Sequence, residues 1–205
     1  LLLRAARTGS SIIMSTGMST LGEIEEALGV LAFGFLNNET PPSREAFRKS
    51  FFSNEGQNLL KQRVSLLHCT TEYPAPFSEV NLRVLETLKQ AFGLPVGYSD
   101  HTEGIAVPIA AAALGAVIIE KHFTLARAEG GVDSAFSLEP AELAELVTTA
   151  RIAHVAVGAP AFEPTRSEEI VLKNRRSLYV VAPVAKGETL TEENVRSIRP
   201  GNGLK

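Results

Sequence analysis

Cysteine occurs once in the 205 residues, at Cys69, so the chain can form no internal disulfide and carries no mark of an oxidising compartment. Charge of one sign is not in excess either: 20 Lys and Arg stand against 23 Asp and Glu, a formal net charge of -3, and no dense basic run occurs. A nucleic-acid partner, which is held largely by neutralising phosphates, is therefore not expected. No apolar run approaches the ~20 residues of a membrane helix, and Leu1-Leu2-Leu3 is followed at once by Arg4 and Arg7. The expectation is a cytoplasmic protein with neither signal peptide nor membrane span. What the chain does have is 44% apolar residues and a mean hydropathy of +0.08. At this length that suffices for one substantial core and a small appendage.

Four times a short apolar, partly β-branched run is followed by a loop and then by a segment with helical spacing of apolar residues, the mark of βα units and a parallel sheet. The strands are expected at 12–14, 64–69, 96–98 and 116–122. The helices are expected from Ser19 or Thr20 to Leu28, around 81–92, 105–114 and 140–157. Residues 37–63, opened by Pro41-Pro42-Ser43, read as a peripheral helical insertion. After about residue 160 the pattern changes. Residues 161–173 read as a linker, and 174–205 as the start of a second, smaller domain with a strand at 177–181, a turn at 186–188, a helix start at 191–194 and a Pro-Gly loop at 199–203.

Four βα units are half of the eight that close a (β/α)₈ barrel of ~250 residues. Residues 1–160 are accordingly expected to be the C-terminal half of such a barrel, inactive on its own. An open doubly wound sheet is the competing architecture, because periodicity alone does not separate the two.

His101 and His122 each follow a predicted strand in consecutive units, 21 residues apart. Both should reach the carboxyl end of the sheet, where ligands of α/β folds bind. A pair of neutral imidazoles suits Mn²⁺, Fe²⁺, Co²⁺ or Zn²⁺ and leaves positions open for water and substrate. Histidine is also a common hydrogen-bonded core residue, and spacing alone does not choose between the two roles.

Five segments carry a resemblance. Ser15-Thr16-Gly17-Met18, His68 to Pro74, Gly97 to Thr102, Glu120 to Thr124 and Arg199 to Gly203 together resemble the N-acetylneuraminate (sialic acid) synthase family, in order and spacing, over nearly all of residues 10–203. The likeness extends to legionaminate and pseudaminate synthases. It implies a TIM barrel followed by an antifreeze-like (SAF) domain, here truncated, and metal ligation by His101 and His122, with Mn²⁺ first and Mg²⁺ or Co²⁺ as alternatives. The implied reaction joins phosphoenolpyruvate to an N-acyl amino sugar. Substrate contacts are implied for Ser99, Thr71, Tyr73 and Asp133, with Asp133 and Tyr73 nearest the chemistry. Arg199 is implied to reach the sugar of the neighbouring subunit in a domain-swapped homodimer. The sequence departs from the family's pattern at Val132 and Ser134, and at Ser10-Ser11, where Lys-Pro is frequent. Two rival readings stand beside this one: another phosphoenolpyruvate-condensing barrel that makes 3-deoxy sugar acids, and an inactive fragment that only binds carbohydrate.

Overall fold

The computed structural model describes residues 1–37 and 39–203, which fall into two compact units, Leu1–Gly158 and Ala159–Lys205. The first unit runs α1 (Leu2–Ala6), β1 (Ile12–Ser15), α2 (Leu21–Phe35), α3 (Arg44–Phe52), α4 (Asn54–Arg63), β2 (Val64–Cys69), α5 (Val84–Phe92), β3 (Val96–Asp100), α6 (Ala106–Ala113), β4 (Ile119–Lys121) and α7 (Pro140–Val157). Its four strands pair in parallel, in the spatial order β1-β2-β3-β4.

Strand residues alternate between the two faces of the sheet. One face gathers Ile12, Met14, Val64, Leu66, Val96, Tyr98 and Ile119 into a core with Ile24, Leu28 and Leu31 of α2, Leu85 and Leu88 of α5, and Ala111 of α6. The register fits this division, setting Ile12 beside Val64, Leu66 beside Val96 and Tyr98 beside Ile119. The other face carries Ile13, Ser65, Leu67, Cys69, Gly97, Ser99 and Glu120. These residues lie outside the helix-packed core cluster, Ile13 being 58% exposed while Leu67 and Ser99 are buried. Each strand lies beside the one before it, and residues of α1, α2, α4, α5 and α6 share the core on one face. This winding is α/β, as in one half of a barrel wall, and it lacks the reversal of strand order that marks a doubly wound sheet.

Local chemistry sets the helix ends. Thr20 caps α2 through a reciprocal box in which its backbone N–H donates to Glu23 Oε2 (2.7 Å) and Glu23 N–H donates to Thr20 Oγ1 (3.3 Å). Ser43 caps α3 by accepting from Ala46 N–H at 3.1 Å. The insertion expected at 37–63 is less peripheral than its polar sequence implied, because α4 sends Leu60, 1% exposed, into the core and leads straight into β2.

The second unit holds α8 (Arg166–Glu169) and a hairpin-like pair, β5 (Ser177–Val180) antiparallel to β6 (Val195–Ile198). The linker expected at 161–173 thus contains a capped helical turn, boxed by Thr165 and Glu168. The helix start expected at 191–194 is instead a turn, closed when Thr191 N–H donates to Asn194 Oδ1 at 2.8 Å, and it delivers the chain into β6. Among the described residues no helix is long and apolar enough to cross a membrane.

Candidate active site

The register of β3 with β4 pairs Ser99 with Glu120 and Asp100 with Lys121, an offset of 21 residues. The same offset separates His101 from His122, so the two imidazoles stand one step beyond the last paired residues of adjacent strands. Alternation sends Ser99, His101, Glu120 and His122 to the open face and Asp100 and Lys121 to the helix-covered face. The side chains follow. The imidazole centroids are 5.3 Å apart with planes at 79°. Ser99 Oγ donates to Glu120 Oε1 at 2.6 Å on one face, and Lys121 Nζ donates to Asp100 Oδ2 at 2.7 Å on the other.

His101 is buried, and its Nδ1 lies 2.7 Å from Thr70 O, a carbonyl that can only accept. The ring proton therefore belongs on Nδ1, which leaves the Nε2 lone pair free. Around the pair stands an aromatic frame. Tyr73 lies 4.2 Å from His101 and 5.8 Å from His122, and Phe136 lies 5.0 Å from His122, centroid to centroid. Tyr73 is carried there by the β2–α5 loop, which is tied to β3 by Ala75 N–H donating to His101 O at 2.9 Å.

Asp133 reaches the site through a long loop that closes on itself. Leu138 N–H donates to His122 O and Thr124 N–H to Leu138 O, both at 2.9 Å, so residues 123 and 138 meet and the chain between them arches back over the end of β4. Asp133 adopts a left-handed φ of 63°, a conformation Asp tolerates better than most residues, and Ser137 Oγ donates to its carbonyl at 2.8 Å. Its Oδ2 lies 3.7 Å from His122 Nδ1. Arg127 fastens the loop to α7, donating to Ser137 O and to Glu142 Oε1, each at 2.8 Å, while its backbone N–H donates to Glu139 Oε1 at 2.8 Å. The Arg127 guanidinium, with the Glu139 backbone N–H, holds the Glu142 carboxyl down to about 2.

Two expected substrate residues have other neighbours. Thr71 packs on the β1–α2 loop: a Cβ added at Gly17 would stand 2.5 Å from Thr71 Oγ1 and 2.8 Å from Cys69 Sγ, so a side chain there would displace both groups. Ser99 has committed its proton to Glu120. Burial pushes the Cys69 thiol above its ordinary range, which disfavours the thiolate a nucleophile would need.

Among the described residues no group of three or more His, Cys, Asp or Glu side chains is arranged to hold a metal ion. The donor set is two imidazoles with the Asp133 carboxylate beside one of them. Sequence comparison supplies the context: the sequence profile of the NeuB family matches residues 1–161. The chain belongs to the NeuB family. It is 44% identical to the N,N'-diacetyllegionaminic acid synthase of Campylobacter jejuni, over 99% of this chain and 54% of that protein. It is 45% identical to the human N-acetylneuraminate-9-phosphate synthase over 49% of this chain and 28% of that protein. Among solved structures, the N-acetylneuraminic acid synthetase of Leptospira borgpetersenii, crystallised with citrate, superposes with a TM-score of 0.65 at 35% identity, covering 83% of this chain and 51% of that one. The chain spans about half the length of the curated relatives it matches. The resemblance drawn from the five motifs is thereby borne out.

In this NeuB-family chain Arg199 belongs to the second unit, on a loop held within that unit by Tyr179 O–H donating to Pro200 O at 2.9 Å and by Gly201 N–H donating to Lys173 O at 2.7 Å. Glu120, Asp100, Lys121, Arg127 and Phe136 were not singled out from the sequence. The first three had a legible signal: they precede the two histidines on the same strands, and the 21-residue offset pairs Ser99 with Glu120 and Asp100 with Lys121.

Proposed function

We propose that this chain is part of an enzyme that condenses phosphoenolpyruvate with an N-acyl amino sugar, giving a nonulosonate and phosphate. The observation that carries the reading is the His101–His122 pair, facing across adjacent strand ends on the open side of the sheet in a chain of the NeuB family. Relatives named as legionaminic and pseudaminic acid synthases point to the same reaction class. The pair fits a divalent cation such as Mn²⁺, because His101 has its Nδ1 satisfied and its Nε2 lone pair free, and two protein donors leave coordination positions open. When bound there, such an ion supplies a Lewis acid that polarises the aldehyde of the open-chain sugar.

The bond changes are then simple. C3 of phosphoenolpyruvate bonds to the aldehyde carbon, water adds at the electron-poor C2, and phosphate leaves with its bridging oxygen as C2 becomes a ketone. Asp133, beside His122, accepts a sugar hydroxyl or the proton of the attacking water. Tyr73 walls the site beside both imidazoles. Ser99 and Thr71 are the polar groups on the phosphoenolpyruvate side. For Ser99 this means that its partner Glu120 must turn away or be neutralised when an anion binds. Arg199 contacts the sugar from the neighbouring subunit of a dimer, as the antifreeze-like architecture implies.

The test is to replace either histidine in the intact protein. His101→Ala and His122→Ala should each lower Mn²⁺-dependent turnover by more than the ~100-fold that loss of a supporting residue around a metal costs, with folding unchanged by circular dichroism. Turnover at the wild-type rate in either variant contradicts the reading.

A further inference from the structure

Directly behind the two imidazoles, on the covered face of the sheet, lies a fully buried ion pair. The side chains of Lys121 and Asp100 are 2% and 0% exposed, and Lys121 Nζ donates to Asp100 Oδ2 at 2.7 Å. Lys121 Nζ also donates to the carbonyl of Thr102. The carboxylate is filled from its other side, where Asp100 Oδ1 accepts from Tyr98 O–H at 3.1 Å and from Thr102 N–H at 2.9 Å. Burial, and then the Asp100 charge, push the Tyr98 phenol far above its ordinary range, so it remains a donor at every working pH.

Such a pair is a poor device for stability alone. Desolvating two charges costs about as much as their attraction returns, and apolar residues of equal volume commonly do as well. What the pair provides is geometry. Asp100↔Lys121 is the last register pair of β3 with β4, so His101 and His122 sit on the first residues with no ladder partner between these strands. Twist of about 20–25° between neighbouring strands would let unpaired ends diverge. Lys121 prevents this, since it immediately precedes His122 and grips both the residue before His101, through the Asp100 carboxylate, and the residue after it, through the Thr102 carbonyl. The residues on both sides of His101 are thus bound to the residue adjoining His122.

We propose that Asp100 and Lys121 are positioning residues that fix the separation and orientation of the two imidazoles for joint coordination of one divalent cation. This rests on the metal reading of the histidine pair. Replacing both charges together, Asp100→Asn with Lys121→Met, removes the cross-strand grip without stranding a charge and nearly conserves volume. The readout is Mn²⁺ uptake by the metal-free intact protein, followed through the electron paramagnetic resonance signal of free Mn²⁺, with thermal unfolding recorded on the same samples. The double variant is expected to unfold within a few degrees of the wild type yet to bind Mn²⁺ at least tenfold more weakly. A Kd within twofold of wild type overturns the proposal. Should the double variant fail to fold, Tyr98→Phe, which removes only the donor to Asp100 Oδ1, is expected to weaken Mn²⁺ binding several-fold, and an unchanged Kd there overturns it equally. If the wild type takes up no Mn²⁺, the metal reading itself fails and this proposal with it. Uptake by the wild type matched by the double variant sinks the positioning role alone.

Discussion

At Gly97 the sheet has no room for a side chain. A Cβ there would stand 2.5 Å from Ile118 O and 2.6 Å from Leu67 Cδ2, and the first of these is backbone that cannot swing aside. Gly97→Ala should therefore destabilise the fold by about 1–3 kcal/mol, the usual range for overpacking. It should also push β3 away from β4 two residues before Ser99. Urea unfolding measures the first effect, and an unchanged midpoint would show that the strands yield more freely than the spacing implies. The histidine pair was legible in the sequence because its 21-residue spacing equals the register offset of the two strands. The same offset pairs Ser99 with Glu120, although that cross-strand hydrogen bond was not singled out from the sequence. Thr71, expected to face substrate, also lies against the Gly17 loop, a meeting of two loops that no periodicity encodes.

At the scale of elements, the loop between β4 and α7 is fastened by a charged contact. The Arg127 and Glu142 side chains are 36% and 39% exposed, so solvent screens their attraction, and the tie is worth only a modest amount. Its sign with pH is nevertheless definite. Because the folded Glu142 carboxyl is held at about 2, below its ordinary value of 4.5, the fold gains from it above about pH 4.5 and loses that gain as pH falls towards 2. Hydrogen-exchange protection of residues 123–139, corrected for intrinsic rates, should fall over that window in the wild type. In Arg127→Met it should already be low at pH 7 and should change little on acidification. Equal protection in both proteins at pH 7 would assign the order of the loop to its backbone bonds alone. The strands and the helices α2, α5, α6 and α7 were legible because their apolar residues repeat at the period of each element. β6 was not, since Val195-Arg196-Ser197-Ile198 offers too short an apolar pattern and is preceded by a turn that imitates a helix cap. The polar sequence of α4 concealed Leu60 as its buried contact with the core.

For the molecule as a whole, the strand order β1-β2-β3-β4 decided between two architectures that periodicity left open, because consecutive neighbours with helices on one face describe a barrel wall. The second unit is legible mainly through the Arg199 to Gly203 motif, and its contribution to the site is part of the proposed dimer. The central claim is a condensation in which the C2–O bond of phosphoenolpyruvate breaks. The direct measurement supplies the intact protein with Mn²⁺, an N-acyl amino sugar and phosphoenolpyruvate carrying ¹⁸O in the bridge between C2 and phosphorus. The label is expected to leave in inorganic phosphate, seen by its ³¹P isotope shift, while the nonulosonate formed in equal amount carries none. Label retained in the sugar acid, or phosphate released without any nonulosonate, would contradict it.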